Sequence, residues 1–189
     1  MLDIFQKKLK LHYSSNVLDV VLFGSSVLEG SSPNDLDIAV VFGNGVSVKT
    51  QLEEGQKIKK QIMEITSLPV QIQNYTLESL FKESNFAREG ILFYGISLLD
   101  RKFFSLRLGL KPVLRINYIL SDLEKKEKIR FNYLLNGKAG SYGMLRKHGG
   151  RIVAPGVLET EPKNELIFTS EMKKITPKIK IERILMFLN

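Results

Sequence analysis

The feature that most constrains this chain is a turn of small residues that follows a strand-like apolar run. The run at residues 20–23 ends directly at Gly24, Ser25 and Ser26. Glycine lets the backbone approach a ligand closely, and small hydroxyl side chains can donate hydrogen bonds to that ligand. The pattern therefore predicts a buried strand that leads into a turn of the size that binds phosphate.

A pair of acidic residues follows on what reads as the next strand. Nine residues separate Ser25 from Asp35, and Asp37 comes two positions later in the predicted strand at residues 35–42. Because side chains alternate along a strand, both carboxylates project from the same face, about 7 Å apart. Two carboxylates at that spacing can bind divalent cations together. The sequence thus predicts a cation site in front of the small-residue turn.

This combination resembles the nucleotidyltransferase superfamily related to DNA polymerase beta, and most closely its minimal nucleotidyltransferases. The pattern of that family is Gly-Ser, a loop, and Asp-x-Asp on the next strand. Gly24 and Ser25 match its first part, and Asp35 and Asp37 match its second. Residues 88–95 are similar to the helix that closes the minimal domain. The resemblance covers roughly half of the chain.

The resemblance implies a fold, an activity and a set of site residues. The fold is α+β, with a nucleotidyltransferase-like mixed sheet flanked by helices and followed by a smaller basic α+β region. Gly24, Ser25 and Ser26 are the expected nucleotide-binding residues, and Asp35 and Asp37 the expected catalytic and metal-binding residues. The expected cofactor is Mg²⁺ or Mn²⁺, with a nucleoside triphosphate as substrate. The reaction would move a nucleoside monophosphate onto a hydroxyl of a macromolecular acceptor.

The chain departs from the family at the position of a third acid. In the family that acid stands on the strand that corresponds to residues 70–74, where this chain has Gln71 and Gln73 on the polar face. Glutamine offers a neutral oxygen but no negative charge, and loss of a general base costs about 10² to 10⁴ in rate. A catalytically inactive binding module, or an antitoxin-like module with a protein partner, is therefore the alternative function.

The charge of the chain is divided unevenly between its halves. Residues 1–100 carry 9 Lys and Arg against 12 Asp and Glu, whereas residues 101–189 carry 19 against 8. This asymmetry predicts two domains, 1–100 and 101–189. A surface with a net charge of +11 attracts polyanions. The second domain is therefore a candidate for binding RNA or DNA, and nucleic-acid binding through this half is a further alternative function.

Four basic residues of the second half lie among glycines and beside an aromatic residue. They are Lys138, Arg146, Lys147 and Arg151, with Tyr142 as the aromatic neighbour. Cations interleaved with aromatic side chains are typical of surfaces that bind phosphates and bases. A solvated loop explains the same residues equally well, so both interpretations stay open here.

Composition excludes several other classes of function. The chain has no cysteine, which excludes disulfides, thiolate metal sites and a cysteine nucleophile. No apolar run reaches the roughly 18 residues of a membrane span, and the N-terminal residues lack a secretory pattern. We therefore expect a cytoplasmic protein with no membrane partner.

Periodicity and turn residues predict the order of the elements. Strands are expected at 17–23, 35–42, 68–75, 113–120 and 179–187, with a hairpin at 152–159. Helices are expected at 2–14, 46–67, 121–135 and 164–172, with a short helix after Thr76 and a helical segment at 86–94.

Overall fold

Residues 10–82 and 84–188 are described by a computed structural model, in which the chain divides into two units. The first unit contains the chain up to Val27 together with Ser31–Leu110. The second contains Leu28–Gly30 and the chain from Lys111 onward. Both units combine helices with a four-stranded sheet, so the expected α+β class is confirmed.

The sheet of the first unit is mixed. Its strands are β1 (Val17–Phe23), β2 (Leu36–Phe42), β3 (Val70–Thr76) and β4 (Ile96–Ser97). They lie in the order β3-β2-β1-β4, with β2 and β3 parallel and the other two pairs antiparallel. The parallel pair is connected through helix α1 (Val48–Met63), as a parallel crossover requires. The predicted strands at 17–23, 35–42 and 68–75 are therefore confirmed to within two residues.

Two helices of the first unit begin at a side-chain cap. The Ser47 side chain accepts a hydrogen bond from the Thr50 backbone N–H and caps α1. Thr76 caps α2 (Leu77–Leu80) in the same way, so the short helix predicted after Thr76 is confirmed. A π-helical turn (Gly90–Tyr94) and helix α3 (Phe104–Arg107) complete the unit.

The two central strands are buried on both faces, because each face is covered by a different layer. On one face, Val20, Leu22, Ile38 and Val40 form a cluster with Ile58 and Ile62 of α1. On the other, Val21, Phe23, Ala39 and Val41 form a cluster with Leu80, Ile91 and Phe104. Since Asp37 follows the alternation of Ala39 and Val41, its side chain lies at the end of this second face.

The second unit is built on a sheet of strands β5 (Leu110–Tyr118), β6 (Arg151–Ala154), β7 (Val157–Thr160) and β8 (Ile179–Phe187). Their order is β6-β7-β5-β8, and β7 is antiparallel to both neighbours. Its helices are α4 (Lys125–Asn136), α5 (Met144–His148) and α6 (Glu165–Lys173), and a 3-10 turn (Pro162–Asn164) precedes α6. Leu114, Ile116, Leu158, Phe131 and Phe168 are buried in this unit.

Several predicted helices differ from the structure. The helix expected at 46–67 ends at Met63, and the segment expected at 86–94 begins with a turn and ends in the π-helical Gly90–Tyr94. Of the helix expected at 2–14, residues 2–9 lie outside the described part, and residues 10–14 are irregular. The helix expected from Ser121 begins at Lys125, with Glu124 as its N-cap. The cause is a turn in which the Leu123 N–H donates to the Leu120 carbonyl, so that residues 120–123 are not helical. None of the helices in the described ranges has the length and apolar content to cross a membrane.

Candidate functional site

The small-residue turn is a 3-10 turn, Gly24–Val27, that leaves β1 directly. Gly24 has a φ of 74°, a left-handed conformation that favours glycine. Ser26 is buried, and its hydroxyl donates a hydrogen bond of 3.0 Å to the Phe23 carbonyl. Ser25 is exposed, and its carbonyl accepts a hydrogen bond of 2.5 Å from the Ser31 hydroxyl. The two serines therefore differ: the Ser26 side chain holds the turn, while that of Ser25 faces solvent.

The turn lies against the second of the two acids. Phe23, the last residue of β1, is the partner of Asp37 across the antiparallel pair. A Cβ built on Gly24 would overlap Oδ2 of Asp37 and would lie 3.3 Å from its Cγ. The absence of a side chain at Gly24 therefore allows the turn and the carboxylate to approach each other.

The two carboxylates influence each other. Asp35 immediately precedes β2 and Asp37 lies within it, and both side chains are half-buried. Burial raises the pKa of Asp37, and the negative charge of Asp35 raises it further. Two acids that repel each other beside a turn of small residues form an arrangement that a divalent cation would stabilise.

The two glutamines occupy different positions. Gln71 is the partner of Asp37 in the parallel pair, and its Nε2 donates a hydrogen bond of 2.5 Å to Oδ2 of Asp35. Gln73 is the partner of Ala39, and its Oε1 accepts a hydrogen bond from the Tyr75 hydroxyl. Of the two candidates for the position of a third ligand, only Gln71 contacts the acids.

The donor set fits a divalent cation held by two carboxylates and completed by water or substrate oxygens. Residues 10–82 and 84–188 contain no group of three or more His, Asp or Glu side chains that could hold a metal ion. Among these residues, a two-metal centre, in which both the attacking and the leaving oxygens are held by metal, lacks one acidic ligand.

Three of the four basic candidates of the second unit fall into two groups, and the fourth, Lys147, is exposed in the last turn of α5. Arg151 forms an ion pair of 2.9 Å with Glu159, which also pairs with Arg115 at 2.7 Å. Lys138 and Arg146 instead lie over tyrosine rings, at 5.8 Å from the ring centroid of Tyr133 and 3.8 Å from that of Tyr142, respectively. Arg151 is thus engaged by a carboxylate, whereas Lys138 and Arg146 are held against aromatic rings.

One residue that contacts the turn, Ser31, was not predicted from the sequence. Ser31 fixes the Ser25 carbonyl through its hydroxyl, but it lies in a stretch of Gly, Ser, Pro and Asn that indicated only a loop. A serine six positions after Ser25 carries no signal of its own, because the contact depends on the path of the loop.

The family described as "Nucleotidyltransferase domain" matches residues 2–98. This range is just over half of the 189 residues and contains the turn, both acids and both glutamines. No curated protein is significantly similar to the chain. With the turn and the acids brought together as described, the match shows that this chain belongs to the nucleotidyltransferase domain family.

Proposed function

We propose that the chain is a metal-dependent nucleotidyltransferase that moves a nucleoside monophosphate from a nucleoside triphosphate to a hydroxyl of a macromolecule. Membership of the family supports nucleotidyl transfer in general. The observation that supports the proposal is the close approach of Gly24, in the turn of small residues, to the carboxylate of Asp37. In the reaction, the acceptor oxygen bonds to the α-phosphorus, the bond to the pyrophosphate oxygen breaks, and the hydroxyl proton is released.

Each site residue has a role in this proposal. Asp35 and Asp37 hold Mg²⁺ or Mn²⁺, which when bound supplies positive charge to the phosphate oxygens. Gly24 allows the triphosphate to approach the backbone of the turn, and the exposed Ser25 hydroxyl donates to it. Ser26 contributes through its backbone, because its hydroxyl is already directed to Phe23.

The acceptor in this proposal is a nucleic acid. Residues 101–189 carry 19 basic against 8 acidic side chains, and such a surface concentrates polyanions. A protein acceptor is the alternative. The two acceptors are distinguished by supplying nucleic acid and protein together and finding which one receives the labelled nucleotide.

The test is transfer from triphosphates labelled at the α-phosphate. ATP, CTP, GTP and UTP are each supplied with Mg²⁺ or Mn²⁺ and with RNA, DNA or protein. We expect label in one acceptor, and a decrease of at least about a hundredfold in Asp37→Ala, because a major electrostatic contribution is lost. Glu53→Ala is the matched control, since Glu53 is an exposed acid on α1. No label in any acceptor, or equal activity of Asp37→Ala, would contradict the proposal.

A second function, a catalytically inactive nucleotide-binding module, is favoured by Gln71. Its amide donates to Asp35, so it neither adds negative charge to the site nor accepts a proton. Calorimetry with triphosphate and Mn²⁺ distinguishes the two functions, because an inactive module binds nucleotide without turnover. If the wild type bound nucleotide without turnover and Gln71→Glu catalysed nucleotidyl transfer, the inactive module would be supported. A Gln71→Glu variant slower than an active wild type would favour the enzyme.

A further inference from the structure

The loop between α4 and α5 is closed by two glycines. A Cβ built on Gly143 would overlap the Gly137 nitrogen and the Leu135 carbonyl oxygen, so the two ends of the loop are in backbone contact. Gly137 has a φ of 90°. Within the loop, the Ser141 backbone N–H donates to the Lys138 carbonyl at 2.8 Å, and the Ser141 hydroxyl donates to the same oxygen at 3.2 Å. The loop is therefore ordered by its own backbone and directs its larger side chains outward.

Two cations of this region lie over exposed aromatic rings. Tyr142 is 56% exposed, and the guanidinium carbon of Arg146 is 3.8 Å from its ring centroid. Tyr133 is 44% exposed, and Nζ of Lys138 is 5.8 Å from its ring centroid. Such pairs hold long side chains in place without neutralising their charge.

Positive charge is concentrated on the same part of the second unit, which we call the α4–α5 surface. Its seven basic residues are Lys125, Lys126, Lys128, Arg130, Lys138, Arg146 and Lys147. None of them forms an ion pair with a carboxylate within the described residues. The one acid among residues 125–148, Glu127, accepts a hydrogen bond from the Glu124 backbone N–H in the capping box.

Elsewhere in the second unit most cations are paired with acids. The ion-paired residues include Arg115, Arg151, Lys163, Lys174, Lys178, Lys180 and Arg183. The positive charge of the second unit that is available to bind a polyanion is therefore located mainly on the α4–α5 surface.

We propose that the α4–α5 surface binds single-stranded nucleic acid. Lysines and arginines without a carboxylate partner contact phosphates, and the stacked Tyr142 and Arg146 present flat groups on which an unpaired base can stack. A duplex has its base faces covered, so it would use the charge but not the stacking. This binding does not depend on transfer at the nucleotide site.

The test is fluorescence anisotropy with the full chain and labelled oligonucleotides, without nucleotide or divalent metal. Single-stranded RNA, single-stranded DNA and a duplex of the same sequence are compared over a range of salt concentrations. We expect a single strand to bind more tightly than the duplex, with affinity falling as salt rises. Tyr142→Ala should weaken single-strand binding by about tenfold, and Tyr142→Phe should restore it, because the stacking face returns.

Two controls separate this proposal from general attraction to anions. Lys173→Ala removes an exposed lysine of α6 and should change affinity by less than the Arg146→Ala variant does. Vesicles of anionic phospholipid should bind more weakly than the single strand. No binding at low salt, equal binding of duplex and single strand, an unchanged Tyr142→Ala variant, or vesicle binding as tight as that of the single strand would each overturn the proposal.

Discussion

Gly24 and Asp37 are in direct contact, and the contact exists only because Gly24 has no side chain. A Cβ there would overlap Oδ2 of the carboxylate. Gly24→Ala must therefore displace the turn from the acid, in addition to the cost of about 1 to 2 kcal/mol for an L-residue in a left-handed conformation. We expect a lower free energy of unfolding in urea, together with at least tenfold weaker binding of Mn²⁺ and triphosphate by calorimetry.

Gly45 provides the matched control for this substitution. It has a similar φ of 82°, but a Cβ there would meet nothing within 4 Å. Gly45→Ala should show the conformational cost alone and leave ligand binding unchanged. Equal loss of ligand binding in the two variants would show that the contact with Asp37 is not the cause.

Asp37→Asn should abolish metal binding without lowering the stability of the metal-free protein. Its carboxylate is half-buried and faces the negative charge of Asp35. Asp37→Asn removes one of two repelling charges, so without divalent metal the melting temperature should stay the same or rise. An ion at a hundredfold its dissociation constant stabilises the wild type by about 2.7 kcal/mol. The variant should lose this stabilisation in scanning calorimetry with and without Mg²⁺, and a variant still stabilised by Mg²⁺ would contradict the assignment.

Much of the first unit follows from local sequence, whereas the details of the site depend on pairing. The strand and turn at residues 17–26 are predictable, because a strand-like apolar run ends at Gly24 and glycine favours a turn over the continuation of a strand or helix. The roles of Gln71 and Gln73 could not be distinguished, because they share one face of β3. Only the register with β2 decides which of them meets the acids.

The contacts of Asp19 also could not be predicted from the local sequence. An acid inside an apolar strand indicates a residue that faces solvent, yet Asp19 is completely buried. Its Oδ1 accepts a hydrogen bond of 2.7 Å from the Ser97 hydroxyl, and its Oδ2 lies 3.2 Å from Nε of Arg107. Burial raises its pKa, whereas Ser97 and Arg107 act in the opposite direction. These partners are far away in sequence, so the sequence offers no signal for the contact.

Ser97→Ala should destabilise the first unit, because the Ser97 hydroxyl donates to Asp19 and accepts hydrogen bonds from the Leu99 and Asp100 backbone N–H groups. The substitution removes a donor from a buried carboxylate, which costs about 1 to 3 kcal/mol. Ser105 is the matched control, because it is equally buried and its hydroxyl has no hydrogen-bond partner among the described residues. Ser105→Ala should be neutral or stabilising in urea denaturation. Equal destabilisation by both substitutions would mean that packing, rather than the hydrogen bonds of the Ser97 hydroxyl, determines the effect.

Glu159 should give the second unit a distinct loss of stability in acid. Hydrogen bonds from Arg115, and then from Arg151, lower the pKa of this buried carboxyl, although burial opposes them. A lowered pKa in the folded state means that the stabilisation is complete above the unfolded pKa, about 4.3, and is lost as the pH falls through the folded value. Glu159→Gln should therefore lower the free energy of unfolding at pH 7 by about 1 to 3 kcal/mol and flatten its dependence on pH below 5.

Glu161 is the matched control for this measurement, because it is exposed and pairs with Lys163 on the surface. Exposed pairs contribute little, so Glu161→Gln should keep the acid dependence of the wild type. Urea denaturation between pH 7 and pH 3 measures both variants. If Glu159→Gln retained the full wild-type slope below pH 5, the ion pairs of Glu159 with Arg115 and Arg151 would not be the source of the acid-sensitive stability.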